Sequence, residues 1–141
     1  MDTSFLKEIN WMAVLVAGVA YFALGAVWYS KLLFSKKWIA YTKVDVNDPN
    51  AKKGMAVMML GSLVMMILTA AALAIIVNRL ELLNCWLTGV KLGSLTGLFF
   101  GTTAISISYL YEKRPVGLYF INCGYTLVGN IIAAIIVCCW Q

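Results

Sequence analysis

GMAVMMLGSLVMMILTAAALAIIV, Gly54 to Val77, contains no charged side chain and no proline. A helix rising about 1.5 Å per residue needs roughly 20 residues to cross a hydrocarbon layer of about 30 Å, so this stretch is long enough to span a bilayer. Apolar residues occupy every face of that helix, as expected where lipid surrounds it; a soluble helix would show one apolar stripe. A barrel strand does not fit, because such strands run about 10 residues and alternate in polarity.

Three other runs have the same character: about residues 9–30, 88–111 and 116–140. The composition agrees with them, since 62% of the 141 residues are hydrophobic and only 12% are charged, with a mean hydropathy of +0.87. Such a chain has too little polar surface to face water. The expected fold class is therefore all-α: a four-transmembrane-helix bundle forming a single integral membrane domain over residues 1–141. The N-terminal flank MDTSFLKEIN carries two acids for one lysine, the first apolar run is longer than a signal core, and no small-x-small cleavage site precedes Trp28-Tyr29-Ser30-Lys31. The first span is expected to stay attached.

Orientation follows from the basic residues, because short loops rich in Lys and Arg stay cytoplasmic. Lys31, Lys36, Lys37, Lys43, Lys52 and Lys53 lie between the first two spans, and Lys113 and Arg114 between the last two. The opposite side holds Lys7, Arg79 and Lys91. Both termini are thus expected to be extracytoplasmic. Lys91, a turn or two inside the third span, is expected to extend its ammonium outward to the interface. Trp11, Trp86 and Trp140 fall at the outer ends and Trp28, Tyr29, Tyr109, Tyr111 and Tyr119 at the inner ends, where aromatic belts form. In the first cytoplasmic loop Phe34, Trp38 and Tyr41 recur at helical spacing, which predicts a short interfacial helix. Trp28, Tyr29, Lys31, Lys36, Lys37 and Trp38 are the expected contacts with lipid headgroups, the alternative being a solvated basic loop. DVNDPN, Asp45 to Asn50, predicts a turn, and NRLELLNCW a brief interfacial connection.

Two segments carry a family resemblance. LGAVWYSKLLFSKKW (Leu24–Trp38) and YLYEKRPVGLYFINCGY (Tyr109–Tyr125) resemble the DUF1761 family of small bacterial membrane proteins, and the similarity in layout covers nearly the whole chain. The resemblance implies a four-helix protein of a bacterial cytoplasmic membrane and supplies no catalytic residue or cofactor.

The residue types narrow the chemistry. Histidine is absent, and Asp2, Glu8, Asp45, Asp48, Glu81 and Glu112 all lie outside the span interiors. General acid–base catalysis, a carboxylate proton relay and a histidine metal site lose their usual donors, so no enzyme activity and no cofactor is expected. The net charge of +5 reads as orientation toward an anionic leaflet, and no nucleic-acid partner is expected.

Polar residues inside the last two spans form a ladder when those spans pair antiparallel about Glu112–Pro115. Counting from that turn puts Ser106 level with Asn122, Thr102 and Thr103 with Thr126, and Thr96 or Gly97 with Asn130. Asn122, Thr126 and Asn130 share one helix face. Such a ladder serves either as interhelical glue, worth about 0.6 to 2 kcal/mol per pair, or as the lining of an oligomeric pore for a small polar solute. Glue is the commoner use. Gly18 with Gly25, and Gly93, Gly97 and Gly101, form small-residue faces for close helix packing.

Met55, Met58 and Met59 with Cys85, Cys138 and Cys139 supply soft ligands suited to Cu(I), although no clean Cys-x-x-Cys or Met pairing exists. Packing is the simpler role for these side chains, and outer cysteines also permit a disulfide from Cys85 to Cys138 or Cys139. The expected function is that of a homo-oligomeric structural or accessory membrane protein; the expected partners are membrane lipid, further copies of the chain and, as an alternative, another membrane protein. An oligomeric channel or transporter comes second and soft-metal handling third.

Overall fold

Asn10 ends the polar N-terminal flank and starts the first span. Its side-chain oxygen accepts from the backbone N–H groups of Met12 and Ala13, satisfying donors that a helix start leaves unpaired. Its amide nitrogen donates to the carbonyl of Trp140 at 2.7 Å. The beginning of the first span is thereby tied to the end of the last, which puts both ends of the bundle on one side.

The computed structural model describes residues 4–45, 48, 53–82 and 86–140, and among them every regular element is helical. A 3-10 turn (Ser4–Lys7) precedes α1 (Trp11–Trp28). The short α2 (Ser35–Thr42) follows, then α3 (Met55–Arg79), α4 (Trp86–Thr96), a π-helical segment (Gly97–Thr102), α5 (Thr103–Tyr111) and α6 (Val116–Cys139). α4, the π segment and α5 form one continuous rod. Four helical rods are thus long and apolar enough to cross a membrane: Trp11–Trp28, Met55–Arg79, Trp86–Tyr111 and Val116–Cys139. The short helix expected in the first loop is present as α2. The predicted turn at Asp45–Asn50 falls largely outside the described residues, as does Cys85.

α6 is the hub. α1, α3 and α4 all pack on it, and α3 packs also on α1, but not to any comparable extent on α4 or α5. The reason lies in side-chain size. On the α4 side, glycines remove every obstacle: a Cβ added at Gly89 would sit 2.6 Å from Ile135 Cα, and Gly93 and Gly97 meet the backbone of Ile131 and Leu127 in the same way. Helix backbones approach this closely only over small residues. The Gly93-Gly97-Gly101 face is therefore spent inside the chain. Gly18 is likewise spent, against Ile67 of α3.

On the α1 side the sizes are reversed, with α6 glycines receiving aromatic rings. Gly129 faces the ring of Tyr21, Gly124 faces Trp28, and Gly117 faces the ring of Tyr41 from α2. The apolar core occupies the end of the bundle near the termini, where Val14 and Ala17, Leu73, Ala74 and Val77, and Ala133, Ala134, Val137 and Cys138 interlock. Toward the lysine-rich end α3 diverges. Its buried residues, Ala70, Leu73, Ala74 and Val77, all lie in its second half.

Candidate functional site

Where α3 diverges, the lysine-rich half of the bundle is filled by aromatic side chains and two amides. Tyr125 stands at the centre, with Tyr21 at 5.4 Å, Tyr29 at 5.3 Å and Trp28 at 6.3 Å between ring centroids. Trp38 from α2 meets Tyr29 edge-on at 5.9 Å, and Phe34 lies 5.1 Å from Trp28. Tilted and edge-to-face contacts of this kind are the favoured geometry for aromatic pairs.

Several polar side chains in this half bond to protein partners. Trp28 Nε1 donates to the carbonyl of Ile121 at 3.0 Å. Tyr29 donates its hydroxyl to Asn122 Oδ1 at 2.7 Å, and Asn122 Nδ2 donates to the Tyr109 hydroxyl. One amide thus joins α1, α5 and α6. One level deeper, Asn130 is only 6% exposed. It donates to the carbonyl of Thr126 at 2.8 Å and to the Tyr21 hydroxyl at 3.4 Å, and its oxygen accepts from Thr96 at 3.4 Å. Asn130 thereby joins α1, α4 and α6. A buried amide in hydrocarbon is costly when unpaired, so both asparagines fix the rotation of α6 against its neighbours.

The residues of the expected ladder take different partners. Thr96 and Gly97 reach Asn130 as counted. From Gly97 to Thr102 the rod is π-helical, closed i to i+5, and its turns are wider than those of α4 and α5. Gly101 meets Thr126. The hydroxyls of Thr102 and Thr103 donate back to the carbonyls of Leu98 and Phe99 in their own rod. Ser106 lies 3.6 Å from Cys123 Sγ, and its expected neighbour Asn122 is taken by Tyr109. In this chain the amides of Asn122 and Asn130 point between helices, toward partners in the same molecule.

The expected headgroup contacts divide. Trp28, Tyr29 and Trp38 are half-buried and pack on the protein, whereas Lys31, Lys36 and Lys37 are exposed. The rings turn inward because Gly124 leaves a hollow for Trp28 and Asn122 offers an acceptor to Tyr29. The glycine hollows on α6 have no signal in the sequence alone; Gly124 and Gly129 become meaningful only with α1 beside them, and Gly117 only with α2.

The soft-ligand candidates do not converge. Met55, Met58 and Met59 are exposed at the lysine-rich start of α3. Cys138 is buried and Cys139 exposed at the opposite end of the bundle. Cys85, and with it either disulfide alternative, lies outside the described residues. Among the described residues no cluster of three His, Cys, Asp or Glu side chains forms.

Between the divergent half of α3 and the α1–α6 pair lies a lateral cleft. One part, about 520 Å³, is lined by Tyr21, Gly61, Ser62, Met65, Met66 and Thr69; a second, about 280 Å³, extends it past Met59 and Met66 to Tyr29 and Tyr125. Ser62 and Thr69 donate to the carbonyls of Met58 and Met65 in their own helix, which leaves the cleft walls mainly apolar.

Four apolar rods long enough to cross a bilayer make this a multi-pass membrane protein. The family described as "Protein of unknown function (DUF1761)" matches residues 12–138, and the chain belongs to it. No curated protein and no solved structure matches the chain.

Proposed function

We propose that this protein acts without catalysis, as a homo-oligomeric structural or accessory component of a bacterial cytoplasmic membrane, with both termini outside the cell interior. The carrying observation is the lysine-rich half of α3. From Met55 to Leu68 no residue is fully buried, only Leu63, Met66 and Ile67 are partly covered by the chain, and Val57 is 74% exposed. That half-helix and the cleft behind it offer a second copy a surface of adaptable methionines. The absence of histidine and the peripheral placement of all six acids support a non-enzymatic role. The asymmetry of the lysines supports the orientation.

A pore lined by Asn122, Thr126 and Asn130 is the weaker reading, because the two amides have partners inside one chain. The separation of the methionines from Cys138 and Cys139 likewise weighs against a continuous soft-metal path. Disulfide trapping of Val57→Cys in a cysteine-free background, performed in intact membranes, tests the assembly. A cross-linked dimer whose yield does not rise with expression level is the expected result. Monomer alone, with Val57→Cys still reactive to a lipid-soluble maleimide, would overturn it.

A further inference from the structure

A second cavity, unrelated to the lateral cleft, opens at the lysine-rich end. It measures about 280 Å³ and lies between α2 and the α5–α6 turn, walled by Trp38, Thr42, Tyr109, Arg114, Leu118 and Asn122. We infer that this cavity binds the phosphate of an anionic lipid headgroup.

The argument is an inventory of donors. Asn122 Oδ1 is occupied by the Tyr29 hydroxyl, and one Nδ2 hydrogen goes to the Tyr109 oxygen. That leaves the second Nδ2 hydrogen and, because Tyr109 is accepting, the Tyr109 hydroxyl proton. Among the described residues neither has an acceptor. Arg114 spends Nε on Glu112 at 2.7 Å, which leaves the two terminal NH₂ groups of its guanidinium. Thr42 donates to the Trp38 carbonyl at 2.8 Å and brings only lone pairs. Unspent donors therefore dominate, with a cation at the rim, and the matching ligand is rich in acceptors and negatively charged.

The surrounding charges allow this. Lys43 and Lys113 flank the cavity residues in sequence, and Asp45 and Glu112 are the opposing charges. Glu112 is engaged by both Ser108 and Arg114, so it orients the guanidinium while leaving the fork's outer edge free. The cavity is too small for a whole lipid and suits a headgroup phosphate with its glycerol. Trp38 and Leu118 supply the apolar wall against which that glycerol rests. Its position at the turn joining two spans is where headgroups lie, which favours a lipid over a soluble phosphate.

The test is native mass spectrometry of the full chain in detergent, titrated with phosphatidylglycerol, phosphatidylcholine or inorganic phosphate. Phosphatidylglycerol is expected to be retained over phosphatidylcholine. Arg114→Gln should weaken that retention about tenfold, as loss of a charge-assisted bond does, and Arg114→Lys should restore it only in part. Tyr109→Phe should weaken it less. Lys53→Gln, which alters an exposed charge outside the cavity, should leave the preference in place. If that variant costs as much as Arg114→Gln, retention is a general surface effect and the proposal fails. If inorganic phosphate binds with the same dependence on Arg114 and displaces the lipid, the lipid assignment is overturned. Arg114 is an exposed turn residue, so its variants are expected to fold; unchanged thermal unfolding verifies this before binding is read.

Discussion

Replacing Gly89 and Gly61 separately by alanine makes one chemical change in two opposite settings, and the expected outcomes differ in sign. At Gly89 the new Cβ would lie 2.6 Å from Ile135 Cα, 2.8 Å from its nitrogen and 3.0 Å from the Ala134 carbonyl oxygen. Carbon atoms rest at about 3.5–4.0 Å, so the shortfall is about 1 Å, and the obstacle is backbone that no rotamer change can move. α4 must back away from α6, loosening the Gly93 and Gly97 contacts with it. Overpacking of this kind costs about 1–3 kcal/mol, and backbone obstruction argues for the upper part of that range. Alanine's helix propensity returns up to about 1 kcal/mol, leaving a net loss of about 1–2 kcal/mol. At Gly61 nothing lies within 4 Å of the added carbon, so only the propensity gain, up to about 1 kcal/mol, remains. Equilibrium unfolding in mixed micelles, followed by far-UV circular dichroism as the SDS fraction rises, reads both. The two variants should be separated by about 2–3 kcal/mol. Gly89→Ala at or above wild-type stability, or equal losses at the two sites, would refute the packing of α4 on α6.

Three further outcomes follow from the same geometry. Asn130→Leu removes the bond to Tyr21 and the longer contact from Thr96, whose single hydroxyl proton goes chiefly to the Leu92 carbonyl at 2.9 Å, and should cost about 0.6–1 kcal/mol in the same assay. A double-mutant cycle between Tyr29→Phe and Asn122→Leu should yield a coupling of about 0.5–1.5 kcal/mol, and simple additivity would remove that hydrogen bond from the account. Glu112 is held below its ordinary value of 4.5, first by the Arg114 hydrogen bond and then by Ser108. A depressed carboxyl contributes stability that is fully present above 4.5 and is lost as the pH falls through the lowered value. Melting curves of wild type and Glu112→Gln should therefore differ slightly at neutral pH and converge in more acid buffer; solvent around the exposed pair keeps the difference small.

The spans were legible because lipid imposes a simple demand, about 20 apolar residues without charge, that the runs at Gly54–Val77 and elsewhere meet openly. The short helix at Ser35–Thr42 announced itself through Phe34, Trp38 and Tyr41. The level of Asn130 with Thr96 and Gly97 followed from counting back from the Glu112–Pro115 turn. Facing was another matter. A π segment has no strong local signature in GLFFGT, and a level counted along the chain does not say which side chain of that level turns toward α6 and which toward its own rod. Trp28 and Tyr29 satisfy the rule for interfacial aromatics equally well whether the ring turns to lipid or to a hollow in the next helix. Only the adjacency of Gly124 and Asn122, 93 or more residues away along the chain, decides between them. The glycine faces showed the same ambiguity: Gly93, Gly97 and Gly101 advertised a close partner without identifying α6 as that partner.

Self-association remains the claim on which the functional account rests, and the copy number in lipid tests it directly. The full chain would be lifted from membranes in polymer-bounded lipid discs and weighed by native mass spectrometry at low expression. Discs containing two or more chains, reduced to one by Val57→Lys on the exposed flank of α3, are the predicted result. Discs that hold a single chain at every expression level, with that substitution changing nothing, would contradict the account.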